Sequence, residues 1–157
     1  MREILFRGKR KDNGEWISGD LRQWSETSTG ICARDLKRTF PVRPETVGQY
    51  TGVYDTELAP IYEGDIVRFL RYVGTVVFEE GCFGIAINET IDWDYIAEEM
   101  AEYAGTNPLS AVCNDNFISL WEILWNFNCS ENVCNVVEVV GNIHDNPELL
   151  KGGEGHD

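Results

Sequence analysis

The sequence predicts an α+β fold that is mainly β: an N-terminal β-hairpin region and a small, SH3-like, partly open barrel carrying two inserted helices. Three observations predict it. Ile61–Ile87 (IYEGDIVRFLRYVGTVVFEEGCFGIAI) strings short β-branched and aromatic runs between glycine turns, and short strands joined by tight turns curl readily into small barrels. Val136–Ile143 (VVEVVGNI) is nearly all β-branched and reads as a buried strand closing the sheet. Helical spacing shows in two places, Trp93–Ala104 and Ser119–Trp125. The expected division is a β-rich region over 1–58, a barrel over 59–150 with its helical insertion near 92–128, and a disordered tail over 151–157.

Taken in order, Arg2–Arg10 alternates and Asp12-Asn13-Gly14 supplies a tight turn. Glu15–Leu21 then returns as the second strand, with Trp16 placed to pack on Phe6. Trp24–Arg43 is polar and turn-rich and reads as a solvated loop interrupted by a short strand near Ile31–Ala33. Glu45–Tyr54 is a strand broken by Gly48 and Gly52. Pro60 holds Ala59 extended and starts the IYEGD stretch, where Gly64-Asp65 makes a corner. Gly74 resets direction, and Thr75–Phe78 pairs with Cys82–Ile87 across Glu80-Gly81.

On that last strand Cys82, Gly84 and Ala86 form a small-residue face that another element can approach. The expected visitor is the first helix, with Asp92 or Thr90 as its N-cap and Trp93, Ile96, Ala97, Met100 and Ala104 as its core stripe. Gly105 and Pro108 end it. Ser119-Leu120-Trp121-Glu122 fits a capping box with Ile118 and Ile123 as staple, and Leu120, Trp121, Leu124 and Trp125 share a face of the second helix.

Charge is the most informative total. The chain has 157 residues and a net charge of −14. Residues 1–71 hold 12 Lys/Arg against 11 Asp/Glu, whereas 72–157 hold Lys151 alone against 16 Asp/Glu. Nucleic-acid binders concentrate positive charge to displace counterions, so the second half is a poor partner for phosphate backbones. No apolar run is long enough to cross a membrane, and the N-terminus lacks a signal-peptide pattern, so the expected location is cytoplasmic. Cys32, Cys82, Cys113, Cys129 and Cys134 are odd in number and irregularly spaced, and read as free structural thiols.

Catalysis needs convergent groups, and the common nucleophile, phosphate-loop and metal motifs are absent. Three alternatives follow from single clusters. Glu63 and Asp65 bracket Gly64 and, with His144, could serve an acid–base or metal-dependent enzyme. An Asp at such a corner also bonds its own backbone, which accounts for it structurally. Arg34, Lys37, Arg38 and Arg43 could bind nucleic acid weakly, although no aromatic interleaving accompanies them. Asp92, Asp94, Glu98, Glu99 and Glu102 form an acidic surface suited to a basic partner, with no Lys or Arg between 72 and 150 to offset it.

The stretches Arg2–Gly8 (REILFRG), Glu45–Asp55 (ETVGQYTGVYD), Ile61–Val67 (IYEGDIV), Gly74–Ile85 (GTVVFEEGCFGI) and Val139–Leu150 (VVGNIHDNPELL) together resemble the YopX family, proteins encoded mainly by phages and prophages of bacteria. The resemblance implies a β-rich two-part fold, phage origin and expression in the bacterial host cytoplasm. It carries no catalytic residue, since the motif positions Tyr62, Glu63, Gly64, Asp65, Gly141 and Asn142 are turns and core. The chain departs from the family at Leu58-Ala59-Pro60 and at His144, where an aromatic is common. The expected role is therefore a non-enzymatic accessory protein, without cofactor or metal, that binds a basic host or phage protein through its acidic half. Self-association is expected too, because five tryptophans and several edge strands need covering.

Overall fold

A computed structural model describes residues 2–103, 114–127, 129 and 131–151. The expected helix end at Ala104-Gly105, Cys113 and the tail from 152 lie outside the described residues. The protein is mainly β; the described residues form two antiparallel sheets and two α-helices, and neither of these sheets closes on itself. The chain divides into two compact units, 1–52 and 53–157.

In the first unit, β1 (Phe6–Lys9) and β2 (Trp16–Gln23) form the expected hairpin. Its turn is closed by Arg10 N–H donating to Glu15 O (2.9 Å), with Gly14 at φ +74°. Trp16 does not meet Phe6. It sits opposite Lys9, so strand alternation puts it on the face of Lys9 and Arg7, and Arg7 stacks over its ring at 4.7 Å.

The stretch expected to be mainly loop contains the short strand expected near Ile31–Ala33, which is β3 (Thr29–Ala33), and a second one, β4 (Arg38–Pro41). Gly30 pairs with Pro41 and Ile31 with Phe40, burying Ile31, Ala33, Phe40 and Val42. With β5 (Gly48–Tyr54), which runs on into the second unit, the order is β4-β3-β2-β1-β5.

In the second unit, the turn after β5 leads to β6 (Pro60–Tyr62). A five-stranded antiparallel sheet follows, in the order β10-β9-β8-β7-β11. Its members are β7 (Asp65–Phe69), β8 (Tyr72–Glu79), β9 (Cys82–Ile87), β10 (Phe117–Ser119) and β11 (Val137–Asn142). The Glu80-Gly81 hairpin forms as expected, with both residues at positive φ (52° and 79°), the geometry that matches the strand twist.

Gly74 is not a turn. Phe69 pairs with Tyr72 across Leu70-Arg71, and Gly74 lies inside β8, where a Cβ would come within 2.5 Å of Ala86 O. Its role is close approach. At Gly84 a Cβ would meet the Phe117 ring at 2.3 Å, so the small-residue face of β9 is visited by β10 and not by the first helix.

The first helix, α1 (Trp93–Glu102), is capped by Asp92, whose carboxylate accepts from the N–H of Asp94 and Tyr95. It buries Ile96 and Met100 in a core with Ile85, Ile87 and Tyr72. The second, α2 (Leu120–Asn126), is capped by Ser119 Oγ accepting from Glu122 N–H at 3.1 Å. Its phase differs from the expected one. Leu120 and Ile123 are buried, as are Glu122 and Asn126, while Trp121 and Trp125 stand out. Two apolar stripes were available on so short a helix; Leu120, Ile123 and the following Phe127 take the core, leaving the indoles outside.

Asp55 fastens this unit. Its carboxylate is 2 % exposed, and Oδ1 accepts from Glu57 and Ala59 N–H, both at 2.8 Å. Oδ2 accepts from Val139 N–H at 2.8 Å, next to the β-bulge of β11 between Val139 and Gly141. The Asp55→Ala variant strands three donors and should lose on the order of 3 kcal/mol in chemical denaturation, at about 1 kcal/mol or more each. Asp55→Asn, which keeps an amide oxygen, should lose less. Equal, unchanged midpoints for both would contradict this role.

Candidate functional site

Residues 53–157 hold only Arg68, Arg71 and Lys151 as cations, whereas seven of the 27 Asp/Glu lie before residue 53, leaving twenty here. Two of those cations are already engaged. Arg68 pairs with Glu138 at 2.8 Å. Arg71 lies 3.6 Å from Asp92, stacks on Tyr95 at 4.1 Å and donates to Tyr72 Oη at 3.2 Å.

Along α1 the acids separate by role. Asp92 is a cap and the partner of Arg71. Asp94, Glu98 and Glu102 recur every four residues, which lays one exposed ridge along the helix. Glu99 is half-buried and close enough to Tyr95 that burial first, and Glu99 next, push that phenol upward. No basic residue occupies the last turn, so Glu102 sits against the negative end of the helix dipole. Glu98 and Glu102 repel one another besides, and together these contacts cost a few tenths of a kcal/mol. Asp94 lies in the first turn, where the helix dipole favours a carboxylate, whereas Glu98 and Glu102 are tolerated by the helix and do not stabilise it.

On α2 the rings of Trp121 and Trp125 stack with centroids 5.3 Å apart and planes at 11°. Each residue is 55 % exposed. This is an aromatic surface on a strongly acidic unit. Beneath it, Asn126 Nδ2 donates to Glu122 Oε2 at 3.1 Å, so the buried Glu122 carboxylate is held inside the fold.

The enzyme alternative drew on Glu63, Asp65 and His144. The β7–β11 pairing sets Asn142 opposite Asp65, bringing these residues to one corner. Several backbone hydrogen bonds close the corner. Asp65 Oδ2 accepts from Tyr62 N–H at 2.7 Å, Gly64 at φ 93° donates to Val76 O, and Ile143 N–H donates to Gly64 O at 3.0 Å. Asn142 Oδ1 accepts from both His144 and Asp145 N–H at 2.9 Å. A Cβ on Gly141 would meet Asn146 Oδ1 at 2.7 Å. Among the described residues no group of three His, Cys, Asp or Glu side chains is placed to hold a metal.

The basic cluster of the first unit is divided. Arg34 is tied to Asp20 (2.7 Å), Glu3 (3.6 Å) and Ile4 O. Lys37 is in a turn at φ 50°, and Arg38 stacks over Phe40 at 4.8 Å, so aromatic contact is present where the linear sequence showed none. Arg43 lines a cavity of about 570 Å³ with Lys11, Glu26, Thr27, Pro44 and Glu45. A second, of about 430 Å³, shares Lys11 and includes Trp24, Ser28, Thr29 and Pro41. Trp24 lies over Gly30, whose missing Cβ would meet the ring at 3.1 Å. Sequence reasoning missed Lys11 and Trp24 as walls of one cavity, because strand pairing brings them there. Two cations facing two carboxylates make the larger cavity neutral, which does not favour a polyanion.

The family described as YopX protein matches residues 5–112, more than half of the chain. The chain belongs to the YopX family. No curated protein matches it. The match covers the first unit from residue 5 onward, β6 to β9 and α1, and so takes in the acidic ridge of this YopX-family protein.

The two kinds of acid on α1 are separable by measurement. Asp92→Ala should lose about 1 kcal/mol of stability with its cap. The Glu98→Gln/Glu102→Gln double variant should be unchanged or gain a few tenths. Matching losses for both variants would show the ridge to be structural.

Proposed function

We propose that this YopX-family protein is a non-enzymatic accessory protein of phage or prophage, acting in the cytoplasm of the bacterial host. In this reading it holds a basic host or phage protein against the acidic face of its second unit. The observation that carries the reading is the Asp94–Glu98–Glu102 ridge. Its carboxylates are exposed, Glu98 and Glu102 do not help the helix they lie on, and all three belong to a unit whose arginines are engaged elsewhere. Exposed carboxylates that face one way suit recognition, since complementary charge speeds encounter and selects partners. The stacked indoles of Trp121 and Trp125 add a face that cations favour.

The enzyme reading draws less support, because Asp65 is engaged with the backbone. The nucleic-acid reading loses Arg34 to Asp20 and finds a neutral cavity around Arg43. We read the five-stranded sheet as a partly open, SH3-like curl, and the exposed indoles as a surface that self-association could also cover.

The test is affinity capture from host lysate with the wild-type chain and with Glu98→Lys/Glu102→Lys. Wild type should retain basic proteins at low salt and release them as salt rises, since the Debye length shrinks to about 8 Å at physiological ionic strength. The charge-reversed variant should retain none of them. Recovery of the same proteins in the same amounts by both would end the proposal.

A further inference from the structure

Two cavities of the first unit adjoin at Lys11, which lines both. The larger, of about 570 Å³, gathers Lys11 and Arg43 with Glu26 and Glu45, and the smaller, of about 430 Å³, is walled by Trp24 and Pro41. Both volumes fall in the range of small-molecule sites. The backbone holds their walls in place. Lys11 N–H donates to Pro41 O at 3.0 Å, Arg43 N–H to Lys9 O at 2.9 Å, Val42 N–H to Thr29 O at 3.0 Å, and Trp24 N–H to Ser28 O at 2.8 Å.

Charges of both signs line the larger cavity without closing on one another. Among the described residues, the side chains of Lys11, Arg43, Glu26 and Glu45 make no ion pair and no hydrogen bond. Elsewhere on this unit opposite charges do meet, Arg10 on Asp12 at 2.6 Å and Arg34 on Asp20 at 2.7 Å. Opposite charges held apart across a cavity are each able to take a partner of their own. A ligand of one sign would be repelled by half of them, so the set selects a molecule that carries one charge of each sign.

The adjoining wall is aromatic. Trp24 is 63 % exposed, and the edge of its six-membered ring lies against β3, where a Cβ on Gly30 would meet Cη2 at 3.1 Å. An indole fixed at one edge and open over most of its surface offers a platform to a second ring, since aromatic pairs stack or meet edge to face. Thr29, in the same wall, is 5 % exposed, and its hydroxyl oxygen is buried without a hydrogen-bond partner. Buried hydroxyls are nearly always paired, and one left over at a cavity wall points to a partner from outside the chain.

We propose that the two cavities together bind an aromatic α-amino acid. Its carboxylate pairs with Lys11 and Arg43, and its ammonium with Glu26 and Glu45. Its ring passes Lys11 into the smaller cavity and packs on Trp24 and Pro41. An α-amino acid is the compact form of this pattern, with both charges on one carbon and the ring one methylene away. A nucleotide has the ring but brings a phosphate before Glu26 and Glu45, and a saccharide suits the indole but leaves all four charges unmatched. The site is built by the first unit alone and needs nothing from the acidic ridge.

The test is calorimetric titration of the whole protein with L-phenylalanine and three relatives that each lack one part. Phenethylamine has no carboxylate, 3-phenylpropionate no ammonium, and glycine no ring. Phenylalanine should bind at millimolar concentration or below, and each relative roughly tenfold or more weakly, the effect of one lost charge-assisted contact or of the ring.

Charge variants should act selectively, as a folding defect would not. Glu26→Gln/Glu45→Gln should bring phenylalanine down to the affinity of 3-phenylpropionate, while 3-phenylpropionate binds as well as before or better. Lys11→Gln/Arg43→Gln should bring it down to phenethylamine and leave phenethylamine undiminished. Trp24→Ala, at an exposed position, should leave phenylalanine no tighter than glycine. In an amide NMR spectrum, phenylalanine should shift Lys11, Arg43 and the Trp24 indole N–H. No binding of phenylalanine at millimolar concentration would overturn the proposal. So would equal binding by 3-phenylpropionate or phenethylamine, or shifts confined to other residues.

Discussion

Twenty carboxylates share the second unit with three cations, and that shortage decides how each acid can be accommodated. A buried carboxylate needs hydrogen-bond donors, and with few cations the available donors are backbone N–H groups. Asp55 and Asp65 are placed accordingly. Asp55 gathers Glu57, Ala59 and Val139, and Asp65 takes Tyr62. Each closes a turn at the end of a strand, and Asp55 also fixes the bulge that lets β11 pair with β7. Glu122 is the exception, held by the side chain of Asn126 one helical turn away. Among the described residues the other acids are at least partly exposed, and the Asp94–Glu98–Glu102 ridge is the regular part of that excess.

Much of the fold was legible because its signals are local. Asp12-Asn13-Gly14 and Glu80-Gly81 turn where positive φ is needed, and Asp92 and Ser119 cap the helices they precede. Where the sequence misled, a glycine or an apolar stripe had two meanings. Gly74 reads as a breaker but serves the close passage of β9, while the turn falls on Leu70, which adopts φ 54° without glycine. Trp121 and Trp125 are as well spaced for a core as Leu120 and Ile123. Only the space left beside Phe117 and Phe127 decides between the two stripes. The Ile31–Ala33 part of β3 was legible, β4 was hidden by its polar flanks, and β10 by its length of three residues.

The candidate site was legible in outline and not in detail. Four-residue spacing of acids is visible in a string of letters, and so is a lack of nearby cations. That Asp92 is occupied by a cap and by Arg71 follows from the fold. The neighbours of a side chain on another strand cannot be read from spacing: Lys11 lining one cavity with Trp24, Arg38 over Phe40, and Trp16 beneath Arg7 all depend on register.

The central claim is that the second unit carries negative charge its own cations do not neutralise. Thermal unfolding followed across added sodium chloride tests it most directly. Between about 0.01 and about 0.15 M the Debye length falls from about 30 to about 8 Å, which removes repulsion between separated surface charges. The melting temperature should therefore rise with salt, and rise less in the Glu98→Gln/Glu102→Gln variant. A melting temperature that falls as salt is added would mean that ion pairs govern the surface, and would contradict the account.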